Sequence, residues 1–148
     1  MKLTLACLLL FMAFGSYASS SELSDEKCEQ IFVTVNVAGG KLNTQEASKF
    51  LNAVSCDYFS TAEGGEFGSE LIMIVLENSP KQFMSAFDKL NKSLQKQILG
   101  EIESPIHDGF NLQNIYNNVA NTKTKSSTKS KILAAIKIAA KGQGGEIN

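Results

Sequence analysis

At 148 residues, with 43% hydrophobic and 20% charged side chains, the chain has the length and composition of one compact domain; two domains, or disorder throughout, do not fit those figures. Its formal net charge is −1, every basic residue is a lysine and there is no tryptophan. Charge is divided along the chain, with ten acids against three lysines over residues 22–77 and ten lysines against four acids over residues 81–141, an asymmetry that either steers a partner or gives two solvated faces.

The first residues read as an export signal. Lys2 is followed by an almost wholly apolar run over 3–14, then by small residues at Ser16 and Ala18, the order a signal peptidase reads. A dozen apolar residues are too few for a helix to cross roughly 30 Å of hydrocarbon. The expectation is a signal peptide over 1–18, cleaved near Ala18, that delivers residues 19–148 to the periplasm or the cell exterior. An uncleaved anchor and a buried first helix are the alternatives. Cys7 follows Ala6 as a lipidated cysteine would, yet most of the apolar run comes after it. Cleavage leaves Cys28 and Cys56, which in an oxidising compartment pair in only one way within the chain; otherwise they are two buried thiols.

Ile31, Phe32 and Val35 recur at helical spacing, while Ile31, Val33, Val35 and Val37 alternate as in a strand. Helix is preferred because no second strand stands out to pair with it, and Gly39-Gly40 ends the segment. Asn43 with Glu46 three residues on resembles a capping box, opening a helix that puts Ala47, Phe50, Leu51, Val54 and Tyr58 on one face. The run Gly64-Gly65-Glu66-Phe67-Gly68 reads as a hinge. Leu71 to Leu76 is apolar at six successive positions, as expected of a central helix covered on all sides.

Ser79-Pro80 is a start signal with serine as the cap and proline at the first helical position. Phe83, Met84, Phe87 and Leu90 make its stripe, and after a break at Asn91-Lys92 the positions Leu94, Ile98, Leu99 and Ile102 repeat the pattern. A short turn between two such helices suggests an antiparallel hairpin. Asn91-Lys92-Ser93 is a glycosylation sequon only in a eukaryotic secretory pathway. Residues 105–110 read as a loop, and Leu112, Ile115, Tyr116 and Val119 begin another helix. A mobile polar linker is expected over 121–130, then a helix facing Ile132, Leu133, Ile136 and Ala140 inward, then a tail over 142–148. The sum is an all-α single domain of six to seven short helices, packed as antiparallel hairpins around a buried central helix and stapled by one disulfide.

Catalytic parts are scarce. His107, the lone histidine, lies in Ser104-Pro105-Ile106-His107-Asp108-Gly109, where Asp108-Gly109 is ordinary turn chemistry. One histidine and two distant cysteines match no zinc spacing, and neither a calcium loop nor a phosphate loop is present. No cofactor, metal or nucleic acid is therefore expected. Glu63, Glu66 and Glu70 fall at i, i+3 and i+7, which suits a solvated helix face better than the opposed carboxyls of a glycosidase.

The expected function, reached by elimination, is that of an exported non-enzymatic binding protein. Its sharpest form is an inhibitor or immunity-type protein that blocks a toxin or a cell-wall-active enzyme. Partner contact is expected from the loop 60–68 with Glu63, Glu66 and Phe67, from Glu70, and from His107 and Asp108 in the loop 104–110, since loops carry binding residues. A core role for Phe67 has equal standing. The alternatives are a small secreted hydrolase using Glu63, Glu66 or Glu70, and a membrane-surface protein. The last would lay the basic segment 123–141, with Lys129, Lys131, Lys137 and Lys141, on anionic lipid. That segment also suits the acidic half of the chain, within one molecule or across a homodimer.

Overall fold

A computed structural model describes residues 23–124 and 127–147; the leader read over 1–18 lies outside them. Among the described residues there are seven α-helices, one short 3₁₀ helix and no strand: α1 (Asp25–Val37), α2 (Thr44–Ala53), the 3₁₀ turn (Asp57–Ser60), α3 (Ala62–Asn78), α4 (Pro80–Phe87), α5 (Lys92–Glu103), α6 (Leu112–Asn121) and α7 (Ser127–Gly142). One hydrophobic core joins them all.

Helix wins over strand in α1, and the valines show how. Phe32 and Val35 are buried with Ile31 packed beside them, whereas Val33 and Val37 face solvent, the sorting that a period near 3.6 dictates. Gly39 (φ 57°) and Gly40 (φ 71°) then turn the chain in the left-handed region, where a Cβ is costly. At Gly40 a Cβ would also stand 2.7 Å from the Ile74 side chain and 2.8 Å from its carbonyl oxygen. Asn43 caps α2 as expected: its side-chain oxygen accepts from the Gln45 and Glu46 amides, and Glu46 Oε2 accepts from the Asn43 amide at 2.8 Å. Ala47, Phe50, Leu51 and Val54 are buried, but Tyr58 is not on α2, because the helix stops at Ala53 and Tyr58 belongs to the 3₁₀ turn.

Cys28 and Cys56 form the disulfide, with Cα atoms 6.7 Å apart. Cys56 sits beyond the end of α2, so the bridge fastens the start of α1 to the turn rather than to the side of α2. Asp25 Oδ1 adds a second tie by accepting from the Tyr58 amide at 2.9 Å.

The glycine run 64–68 is no hinge; it forms the opening turns of α3, capped by Thr61 Oγ1, which accepts from the Gly64 amide at 3.0 Å. Glycine costs a helix about 1 kcal/mol relative to alanine, and tertiary packing overrides that here. A Cβ on Gly64 would collide with the Tyr58 carbonyl oxygen, and one on Gly68 would lie 2.6 Å from Phe59 Cδ2 and 3.0 Å from Phe32 Cε2. Gly64→Ala therefore destabilises by about 2 kcal/mol through overpacking, although alanine is the better helix former. Urea melts of the two proteins check this, and a gain in stability would contradict the close approach.

Further along α3, Leu71, Ile72, Met73, Val75 and Leu76 are buried and Ile74 is partly so. The helix is central: it packs on α1, the 3₁₀ turn, α4, α5 and α6. The principal partner of α4 is α2 and that of α5 is α7, so neither takes its sequence neighbour as its main contact. Ser79 occupies the cap position of α4, yet its buried Oγ caps nothing there. It accepts instead from the amide of Leu42 at 2.9 Å, thirty-seven residues away. Ser79→Ala leaves that amide unpaired at a buried site, an expected cost of about 2 kcal/mol, readable by urea denaturation; a change below a few tenths would mean that water replaces the hydroxyl.

α7 begins at Ser127, so 127–130 are helical and not linker. Two side chains hold this polar first turn: buried Thr128 donates to Asp88 Oδ1, and the Lys129 ammonium donates to the carbonyls of Ala120 and Thr122 at the end of α6. Ile132, Ile136 and Ala140 are buried with Leu133 beside them, and Ile147 of the tail packs back on the core.

Candidate functional site

The two segments singled out as contact loops meet. His107 Nε2 lies 3.4 Å from Glu66 Oε1, one from the segment after α5 and the other from the second turn of α3. Their side chains are 44% and 59% exposed, so the pair is hydrated and contributes little stability even when His107 is protonated. Glu63 and Asp108 are exposed, and Glu70 is half-buried. Phe67 is half-buried with its ring edge-on to Phe32 at 6.3 Å between centroids, a position that rims the core.

Glu63, Glu66 and Glu70 lie on a single helix, within about 60° of one another at 100° per residue. That arrangement presents carboxylates side by side. It does not set two of them across a bond from each other, as acid and base in glycoside hydrolysis must be. Burial, together with the nearby charges of Glu63 and Glu29, raises the pKa of Tyr58 above its ordinary 10.0. With the folded value above the unfolded one, this group costs nothing below pH 10, and stability falls as pH rises past 10 and the phenolate becomes favoured in the unfolded chain. Among the described residues, no group of three or more His, Cys, Asp and Glu side chains is placed to hold a metal ion.

On the basic segment, Lys123, Lys131, Lys137 and Lys141 are exposed; Lys125 lies outside the described residues. Lys129 is different, since its ammonium is engaged by the end of α6. Lys137 stands over the Tyr116 ring at 5.3 Å from the centroid, a cation–π contact. Ile138, next to Lys137 in the chain, is 52% exposed. No described helix is long and apolar enough to cross a membrane.

A further feature escaped the sequence reading: a groove of about 840 Å³ along α1 and α2. From α1 it takes Lys27, Ile31 and Thr34, a stripe at i, i+4 and i+7 that Ala38 continues just past the helix end; from α2 and the turn before it, Lys41, Leu42, Gln45, Lys49 and Asn52. Val35 and Leu42 are buried at its floor, while Lys27, Lys41 and Lys49 are exposed at its rim. The volume is in the range of ligand sites. Its sequence signal is easily missed: these are the only lysines between residues 22 and 77.

The chain matches no known family model, curated protein or solved structure.

Proposed function

We propose that the chain is an exported, non-enzymatic binding protein, and that the α1–α2 groove is its docking surface. An inhibitor or immunity-type protein directed at a toxin or a wall-active enzyme is the form of this reading that suits its size and single disulfide. The observation that carries it is the groove itself: an apolar floor of Ile31, Val35, Ala38 and Leu42, open to solvent along two helices and edged by three lysines. Sites of this kind place a few polar groups around a mostly apolar lining.

Affinity capture tests the reading. Wild-type protein and the Ile31→Glu variant, which places a charge at a half-buried position of the groove floor, are presented to envelope and secreted extracts under oxidising conditions. One stoichiometric protein retained by the wild type and lost by the variant, with unchanged helical circular dichroism, is the expected result. Capture unaffected by Ile31→Glu but lost with Glu66→Gln and His107→Ala would move the docking surface to α3 and the 104–110 segment. The contact between Glu66 and His107 favours that second reading. Hydrolysis of cell-wall glycan that disappears in Glu63→Gln, Glu66→Gln or Glu70→Gln would replace both with the enzyme.

A further inference from the structure

We infer that the occupant of the α1–α2 groove is an amphipathic helix of a partner protein whose apolar stripe is flanked by carboxylates. The inference rests on the groove being the docking surface and adds the chemistry of what docks there.

Shape is the first argument. The disulfide brings the chain just after α2 to the start of α1, and the Gly39-Gly40 turn joins the other ends, so the two helices run antiparallel. Their facing stripes make a trough as long as the 13-residue α1, about 20 Å at 1.5 Å per residue. A third helix of three to four turns fills such a trough by setting its side-chain ridge between the two existing ones, the helix-in-groove mode of recognition.

Charge is the second argument, and it selects the helix. The region 22–77 carries ten acids and three lysines, yet all three lysines line this groove and, among the described residues, Glu46 is the single acid that does. The Glu46 carboxylate is moreover turned to its own chain, accepting from the Asn43 amide at 2.8 Å. Lys27 lies near one end of the trough, Lys41 in the turn at the other and Lys49 between them. The most acidic part of the molecule thus offers one basic rim, spread along the full length of an apolar floor. Helices flanked by lysine, including the exposed face of α7 from a second copy, meet like charge at every position of that rim.

The test uses the full oxidised chain and three probes. Two are fluorescent 18-residue helical peptides with the same leucine stripe, one flanked by glutamate and the other by lysine; the third is palmitate. Exposed ion pairs contribute modestly each, so three together favour the glutamate peptide by about tenfold at low salt, and the preference shrinks as the Debye length contracts. In the triple variant Lys27→Glu, Lys41→Glu, Lys49→Glu the preference reverses. All three side chains are exposed, so folding is retained, as circular dichroism will show. Equal affinity for the two peptides, an unchanged preference in the triple variant, or no peptide binding overturns the inference. Palmitate binding that is lost in Ile31→Glu, without peptide binding, overturns the helix while leaving the groove as the docking surface. Peptide binding at full strength to Ile31→Glu overturns the groove reading itself.

Discussion

Phe32→Ala is expected to cost about 4 kcal/mol, the largest single effect from truncating a side chain in this molecule. Phe32 is fully buried, and its ring is met by Phe50, Tyr58, Phe59 and Phe67 at centroid distances of 5.7 to 6.3 Å. Those four rings come from α2, the 3₁₀ turn and α3, so α1 is held to three elements through one side chain. Removing it leaves a hole that rings fixed on separate elements close only in part, which puts the loss at the upper end of the range for large-to-small changes. The Phe67→Ala change, at a half-buried position whose ring meets that of Phe32, is expected to cost less than half as much. Urea denaturation of both variants decides the matter; a loss below about 1 kcal/mol for Phe32→Ala would mean that the neighbouring rings collapse into the space.

The second large effect belongs to the Cys28–Cys56 bridge. Closing a chain segment with a sequence separation of 28 restricts the unfolded ensemble by about 3 kcal/mol in the loop-entropy account. For a domain of this size that is a fall of about 10 °C in Tm on replacing both cysteines with alanine. The native contacts beside the bridge survive the change, because Asp25 still receives the Tyr58 amide and Phe32 still packs on Phe59. The variant is therefore expected to keep its helical circular dichroism at low temperature while melting earlier. An unchanged Tm would show that the unfolded chain is already held together in this region.

Local chemistry in this sequence was legible wherever the partner residues are close in the chain. The Asn43–Glu46 capping box, the Gly39-Gly40 terminator and the six apolar positions from Leu71 all took the structures their types imply. The disulfide was legible too, from counting. Reading failed where a distant residue sets the local answer. Gly64 and Gly68 look like breakers until the Tyr58 carbonyl and the Phe59 ring are placed against them. Ser79 looks like a cap until Leu42 arrives at its hydroxyl. Ser127 to Ser130 look like linker because the groups that hold them, Asp88, Ala120 and Thr122, belong to earlier elements.

The candidate sites divide in the same way. Glu66 and His107 were each identifiable as surface residues of interest, but nothing in a one-dimensional reading places position 107 against position 66. The groove was harder still. It is built from the outer stripes of two helices, where Lys27, Thr34, Gln45 and Asn52 look like ordinary solvated positions. Only the concentration of lysine in an otherwise acidic region marks it, and that signal acquires meaning once α1 and α2 lie side by side.

The bond between Ser79 and Leu42 has a consequence for how the molecule breathes. The chain between α1 and α2 has the look of a surface turn, yet the Leu42 amide is buried against a hydroxyl from the α3–α4 junction, and the Gly40 amide donates to Val35. Hydrogen exchange at these two amides then requires α3 and the turn to separate, an opening that approaches the global one. They are expected to exchange on the time scale of the helix interiors, orders of magnitude more slowly than the amides of 106–110. One wall of the groove is in this respect part of the slow-exchanging core, and its shape persists between encounters with whatever binds it.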